Sequence, residues 1–238
     1  RHTSWISPNE AYESATLGFA DALLGELEGV ATSGSGGSDR ADGFSASFRS
    51  FVDETTPAFE ASVIANQVVR LTIPGTPDVY RGSELLDLTL VDPDNRRQVD
   101  CELRRRMLAR AASGSIAADA SLAERKLATI HALLTFRRQA PDLVLRGSYL
   151  PLTVSDADPD DVIAFARTHG DEAIVTVARR RPARIEPAAA IRLPYELAQG
   201  RYRDLLSRAT STPRDGAISL AEALSHSAAV VLRREPLE

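Results

Sequence analysis

The hydrophobic period changes at one point in this chain, and that change governs what it can fold into. Up to Gln139 apolar residues recur at three- and four-residue steps, the spacing of helices that bury one face. Beyond Pro141 they recur at every second position, the spacing of strands. Helices joined by one short strand at Asp78-Val79-Tyr80 predict α/β over residues 1–140, and the period-two stretches predict an all-β, antiparallel sandwich-like domain over residues 141–238. With 238 residues and 43% hydrophobic side chains the chain can bury a large core, which excludes a disordered tail or a collagen-like fibre.

Local signals place the elements. Ser7-Pro8-Asn9-Glu10 has the form of a capping box, and Tyr12, Ala15, Phe19, Ala22, Leu23 and Leu27 then mark one buried helix face up to about Gly29. Ala31 to Gly43 is almost free of apolar residues and predicts a surface loop. A short helix is expected over Phe44 to Asp53, and Pro57 is expected to open another through Leu71. Pro74-Gly75-Thr76-Pro77 breaks helix, leaving Asp78-Val79-Tyr80 as one short strand and Gly82 to Asp100 as a long loop. Glu102 to Ala112 and Ser121 to Gln139 are predicted helices, the second opened by a Ser121-x-x-Glu124 capping box. Val162 to Arg167 and Ala173 to Ala178 flank Thr168-His169-Gly170-Asp171 as a hairpin. Ile191 to Leu193, Tyr202 to Leu206, Ala217 to Leu220 and Ala228 to Arg233 supply further strands.

Composition narrows the partners. Lys+Arg of 28 against Asp+Glu of 33 gives a net charge of −5 without a strong basic run, so nucleic acid is not an expected partner. The longest apolar runs, Ala188 to Ile191 and Ala228 to Leu232, fall far short of the roughly 20 residues that span a bilayer, and no membrane partner is expected. Cys101 is the single cysteine, which rules out an intrachain disulfide and a thiolate-rich zinc site and fits a reducing, cytoplasmic setting. The first residue is Arg, and the chain is read as a piece of a longer protein.

The stretch with chemical content is Pro74-Gly75-Thr76-Pro77-Asp78-Val79-Tyr80-Arg81-Gly82-Ser83-Glu84-Leu85. A breaker pair, a short strand and a loop carrying a carboxylate would present Tyr80, Arg81 and Glu84 at a strand's carboxyl end, where barrel enzymes build their sites. It resembles the eighth-strand motif of the α-amylase superfamily. Leu88-Thr89-Leu90-Val91-Asp92-Pro93-Asp94-Asn95-Arg96-Arg97 narrows the resemblance to the maltooligosyltrehalose synthases. His2 to Trp5, Pro8-Asn9-x-x-Tyr12-Glu13, Phe136 to Pro141, Gly147-x-Tyr149-x-Pro151-Leu152, Ile163 to Arg167 and Tyr202-Arg203-Asp204 extend it over most of the chain. Arg81 stands where Gln is usual, and Gln98 where Pro commonly follows the two arginines.

The resemblance implies the last segment of a (β/α)8 barrel followed by the β domain. It also implies a part in converting the reducing-end α-1,4 linkage of a maltooligosaccharide into an α,α-1,1 linkage by intramolecular transglycosylation. The nucleophile and the acid/base belong to earlier barrel strands. No catalytic residue is therefore expected in this chain, the remainder of the barrel is expected upstream, and the isolated chain is expected to be inactive. No cofactor or metal is implied, although Asp92 and Asp94 could ligate a calcium ion.

Tyr80, Asp92, Asp94, Asn95, Arg96 and Arg97 are the candidate substrate-binding residues, because hydroxyl-rich ligands suit carboxylates, amides and guanidinium forks. Asp94 and Asn95 could instead form an Asx-type turn that merely fixes the loop. Glu84 is expected to act behind the sugar, paired with a nearby Arg. Trp5 is read as a staple against the first helix, and His2, His131, His169 and His226 as structural. Arg104-Arg105-Arg106 and Arg179-Arg180-Arg181 are read as solvated faces, and Cys101 as an inert thiol. Two other functions fit less of the sequence: a hydrolase of the same superfamily, and a non-catalytic glucan-binding or structural β module.

Overall fold

A computed structural model describes residues 2–4, 6–27, 38–89, 96, 98–113, 119–181 and 185–235. The chain divides into two compact units, Arg1–Pro57 and Ala58–Glu238. In the first, α1 (Glu10–Leu27) begins later than its sequence signal. Asn9 Oδ1 accepts from the Tyr12 N–H at 3.1 Å and takes the N-cap place expected of Ser7, while Ser7 N–H bonds to Ser4 Oγ at 3.1 Å. The asparagine's short amide reaches the free N–H groups of the first turn as well as a serine would. Of the predicted apolar face, Tyr12, Ala15 and Ala22 are exposed, Phe19 is 67% exposed and Leu23 is half-buried.

Two expected helices are one. Helix α2 runs from Ser38 to Thr72 with Pro57 inside it. A proline at that position removes one N–H donor and crowds the preceding turn, which is why the sequence predicts a break. Thr55 Oγ1 donates to the Phe51 carbonyl at 2.7 Å, and Thr56 Oγ1 to the Val52 carbonyl at 2.7 Å, so hydroxyls supply donors in the turn before the proline. Residues 38–43, predicted as loop, belong to this helix, whereas residues 31–37 lie outside the described residues. Asp78 to Tyr80 forms no strand.

From Ala58 onward the order is the end of α2, then α3 (Cys101–Ala112), α4 (Leu122–Gln139), α5 (Pro141–Arg146), β1 (Ser148–Pro151), β2 (Val154–Ser155), β3 (Val162–His169), β4 (Glu172–Arg179), β5 (Ala190–Arg192), β6 (Tyr202–Asp204), β7 (Thr210–Ser211), β8 (Ala217–Ser219), α6 (Leu220–Ala223) and β9 (Ala229–Arg234). The predicted capping box of α4 is present, with Ser121 accepting from the Glu124 N–H and the Glu124 carboxylate from the Ser121 N–H. The Ser121 hydroxyl and N–H hold the Glu124 carboxyl below its ordinary range. Pro141 ends α4 and also opens α5 as its first helical residue, where a missing N–H is harmless.

Strands β1-β3-β4-β9-β6-β7 form a six-stranded antiparallel sheet, and β2-β5-β8 a three-stranded one. The β3–β4 hairpin pairs Val162 with Arg179 through His169 with Glu172, turning at Gly170, which has φ +56°. Alternation along these strands feeds two cores. Ile174, Ala178, Ala229 and Val231 join Ile64, Val68 and Leu71 of α2, Leu133 and Phe136 of α4, and Leu143 of α5. Ala173, Val175, Val177, Val230 and Leu232 join Ile191, Ile218 and Tyr202 on the other face. The larger sheet is thus covered by helices on one side and by the smaller sheet on the other, which makes β4 buried over Ala173–Ala178. The helix-side core takes residues from both sides of the boundary expected near residue 140.

Thr176, fully buried on β4, has a hydroxyl without a hydrogen-bond partner. Burying an unpaired hydroxyl is unfavourable, so Thr176→Val is expected to stabilise the protein by about 1 kcal/mol. A urea midpoint that falls in this variant would show that the hydroxyl is hydrogen-bonded in solution.

Candidate functional site

The segment that carries the sequence motif begins where α2 ends. The Ile73 N–H closes the last helical turn on the Val69 carbonyl at 3.1 Å, and Gly75 then takes φ +95°, a conformation a side chain would strain. From Thr76 to Tyr80 the backbone forms neither helix nor turn and pairs with no strand among the described residues. A tight turn follows: the Ser83 N–H and Oγ both donate to the Tyr80 carbonyl, at 2.9 and 2.7 Å, and the Leu85 N–H donates to the Gly82 carbonyl at 3.3 Å. Gly82 takes φ +90°, which a side chain would strain, and a Cβ there would crowd Val99 Cγ2 at 3.3 Å. Asp87 accepts from the Thr89 N–H at 3.0 Å and from its hydroxyl at 2.6 Å.

Cationic side chains hold this segment from the helices beside it. Arg104 of α3 pairs with Glu84 and donates from Nη2 to the Gly82 carbonyl at 2.9 Å. Lys126 of α4, only 9% exposed, donates from Nζ to the Leu85 carbonyl at 2.8 Å. Burial and the neighbouring Arg70 hold the Lys126 ammonium below the usual lysine range, against the opposite pull of Glu84 and Asp87. Arg137 of α4 donates to the Leu71 and Ile73 carbonyls at 3.0 Å each and to the Gly75 carbonyl. Arg167 of β3, 1% exposed, reaches the Thr72 carbonyl at 3.5 Å, the Gly147 carbonyl at 2.7 Å and the Ser148 carbonyl at 3.1 Å. Two guanidinium groups therefore meet the unpaired carbonyls at the C-terminus of α2, where the helix dipole favours positive charge. Burial lowers the pKa of both, and their mutual repulsion adds to the shift at Arg137.

Of the candidate sugar-binding residues, Tyr80 is 52% exposed at the start of the turn, and Arg96 is exposed. Asp92, Asp94, Asn95 and Arg97 lie outside the described residues, as does Trp5. Arg81 is exposed beside Tyr80. Arg104 departs from the solvated face expected for its triplet: it is turned inward on Glu84, while Arg105 faces solvent and pairs with Glu102 at 3.3 Å. His2 stacks on Tyr12 at 5.1 Å between ring centroids, and Cys101 is exposed. A cleft of about 500 Å³ runs along α4 between Arg125, Phe136, Leu206 and His226, and none of the candidate residues lines it. Among the described residues no group of three or more His, Cys, Asp or Glu is placed to hold a metal ion, and no helix is long and apolar enough to cross a membrane.

The supporting cations were hidden from sequence reasoning, although Lys126 left a trace. It stands at i+4 between Leu122 at i and Ile130 at i+8 of the same apolar stripe, a place where an exposed lysine would not stand.

No family model matches the chain. A maltooligosyl trehalose synthase of Mycobacterium tuberculosis, strain CDC 1551 / Oshkosh, is 34% identical over 220 residues, which make up 92% of this chain and 25% of that protein. The counterpart from strain H37Rv matches equally. The chain thus spans about a quarter of the length of the curated relatives it matches. Among solved structures, the maltooligosyltrehalose synthase of Arthrobacter ramosus superposes with a TM-score of 0.77 at 25% identity, over 99% of this chain and 28% of that one. An Anoxybacillus α-amylase shares the fold over 74% of this chain, with a TM-score of 0.51 at 21% identity.

Proposed function

From its homology to the C-terminal portion of maltooligosyltrehalose synthases, we propose that this chain is the part of such a glucosylmutase that completes its substrate pocket. The observation that carries the reading is 34% identity over 92% of the chain to a protein of that name. Residues 1–140 would close a (β/α)8 barrel, and residues 141–238 would form the C-terminal domain packed behind it. The exposed aromatic residues Phe19, Phe44, Phe48 and Phe51 support a larger whole, because apolar surface on this scale marks a face meant to be covered.

The reaction divides into two displacements at one anomeric carbon. A carboxylate supplied by the rest of the enzyme attacks C1 on the non-reducing side of the terminal α-1,4 bond, while a carboxylic acid gives its proton to the departing O4 of the end glucose. The freed glucose turns, its anomeric hydroxyl gives its proton to the group that had acted as the acid, and its oxygen attacks C1, forming the α,α-1,1 bond as the bond between C1 and the nucleophilic carboxylate breaks. Water would divert the second step to hydrolysis, so the segment from Tyr80 to Arg97 is assigned the task of covering the pocket and excluding solvent. Tyr80 would touch the sugar, with Asp92, Asp94, Asn95, Arg96 and Arg97 as further polar contacts, and Glu84 would fix the turn through Arg104. Neither step uses a cofactor, and a cytoplasmic setting suits the single thiol.

Incubating the parent enzyme with maltopentaose tests the reading. The expected result is loss of reducing ends without shortening of the chain, and no turnover by the 238-residue chain alone. Shorter maltooligosaccharides as the main product would favour an amylase-like hydrolase instead.

A further inference from the structure

The backbone from Thr76 to Arg81 belongs to no ladder, yet it carries Tyr80, a candidate sugar-binding residue that is 52% exposed. Its position is set from its two ends. At one end Arg137 gathers the Leu71, Ile73 and Gly75 carbonyls; at the other Arg104 holds Gly82 and Lys126 holds Leu85. Arg137 and Lys126 stand on the same helix, α4, whose buried side is locked into the core by Leu133 and Phe136. We propose that Lys126 and Arg137 are positioning residues, through which one rigid helix sets both ends of the 71–85 segment and so the orientation of Tyr80 toward a bound glucan.

Stability alone does not account for these two cations. Lys126 sits between apolar neighbours where a methionine of similar length would pack without the penalty of burying an ammonium, and although Glu84 and Asp87 favour its charge, Lys126 and Arg137 direct hydrogen bonds at main-chain carbonyls. What an ammonium or a guanidinium adds over an apolar side chain is direction: a fixed donor that selects one place for a given carbonyl. Three carbonyls held by one planar fork define the exit of α2, and the turn at Gly82 to Leu85 is then held a fixed span further along the same helix. The proposal rests on the functional reading given above.

The test uses Lys126→Met, which keeps the buried stem, and Arg137→Lys, which keeps the charge but not the fork. In the parent enzyme, amide hydrogen exchange at Ser83 and Leu85 is expected to rise about 10-fold in Lys126→Met, the loss of one hydrogen bond from a charged donor, with β3, β4 and β9 unchanged. In the parent enzyme the ratio of α,α-1,1-linked product to free glucose is expected to fall about 5- to 10-fold in both variants, as the pocket admits water. A smaller folded fraction scales both products equally and does not move that ratio. Unchanged exchange at Ser83 and Leu85 would overturn the proposal, as would faster exchange with an unchanged product ratio. A wild-type parent that forms no α,α-1,1 product would instead defeat the functional reading and the catalytic role with it, while the exchange result would still decide whether Lys126 fixes the segment.

Discussion

Gly147→Ala is expected to destabilise the protein by about 3 kcal/mol, the upper end of what overpacking costs, and to lower the urea midpoint by more than about 1 M. The backbone of Gly147, at φ −58° and ψ 148°, is open to any residue, so the effect is purely one of space. A Cβ there would lie 2.2 Å from the Leu143 carbonyl oxygen and 3.0 Å from that of Thr168. Both obstacles are main chain. One belongs to helix α5, which lines the helix-side core, and the other to β3, which is paired with β1 and β4 and places Val162 and Ala166 in the opposite core, so neither can move without shifting a packed element. A variant with wild-type stability would show that the junction between α5 and β1 yields, and that the close approach is not a requirement of the fold.

Arg167→Met is the second large effect, an expected loss of about 2–3 kcal/mol in equilibrium unfolding. The three carbonyls of Thr72, Gly147 and Ser148 lose their donor together, and the site is too buried for water to replace it freely. Relief from burying a guanidinium offsets part of this, which is why the loss is smaller than three separate hydrogen bonds would suggest. Arg167→Lys should recover only a fraction, since one ammonium cannot reach three carbonyls in the arrangement a planar fork allows. If methionine left the midpoint unchanged, the idea that this arginine ties β3 to the end of α2 would be wrong. Because the Gly147 carbonyl is shared by both sites, the two substitutions should combine non-additively.

Much of the local structure was legible along the chain. The capping box at Ser121, the β3–β4 hairpin and the strands at Ala190–Arg192 and Ala229–Arg234 each follow from signals within a few residues, and each stands close to where it was expected. Two local signals misled. Pro57 lies inside its helix although it removes the donor for the Asp53 carbonyl, and the turns on either side carry the helix through it. Asp78 to Tyr80 resembles a strand in sequence but has no partner strand here, and a strand without a ladder has no reason to be one.

The site divides in the same way. Tyr80 and Glu84 were identified from a motif because a proline-glycine turn and its spacing are properties of consecutive residues. Lys126, Arg137 and Arg167 were not, because their roles lie in hydrogen bonds to carbonyls some 19 to 95 residues away along the chain. By itself the sequence determined the period of burial, the helix start at Ser121, the hairpin turn and the likeness to one enzyme family, all of which depend on residue types at short separations. Only the tertiary structure decided that both faces of the larger sheet are covered, that one core crosses residue 140, and which cations hold the segment bearing Tyr80. Those outcomes depend on which surfaces meet, and a carbonyl shows no preference among donors until folding has brought one within reach.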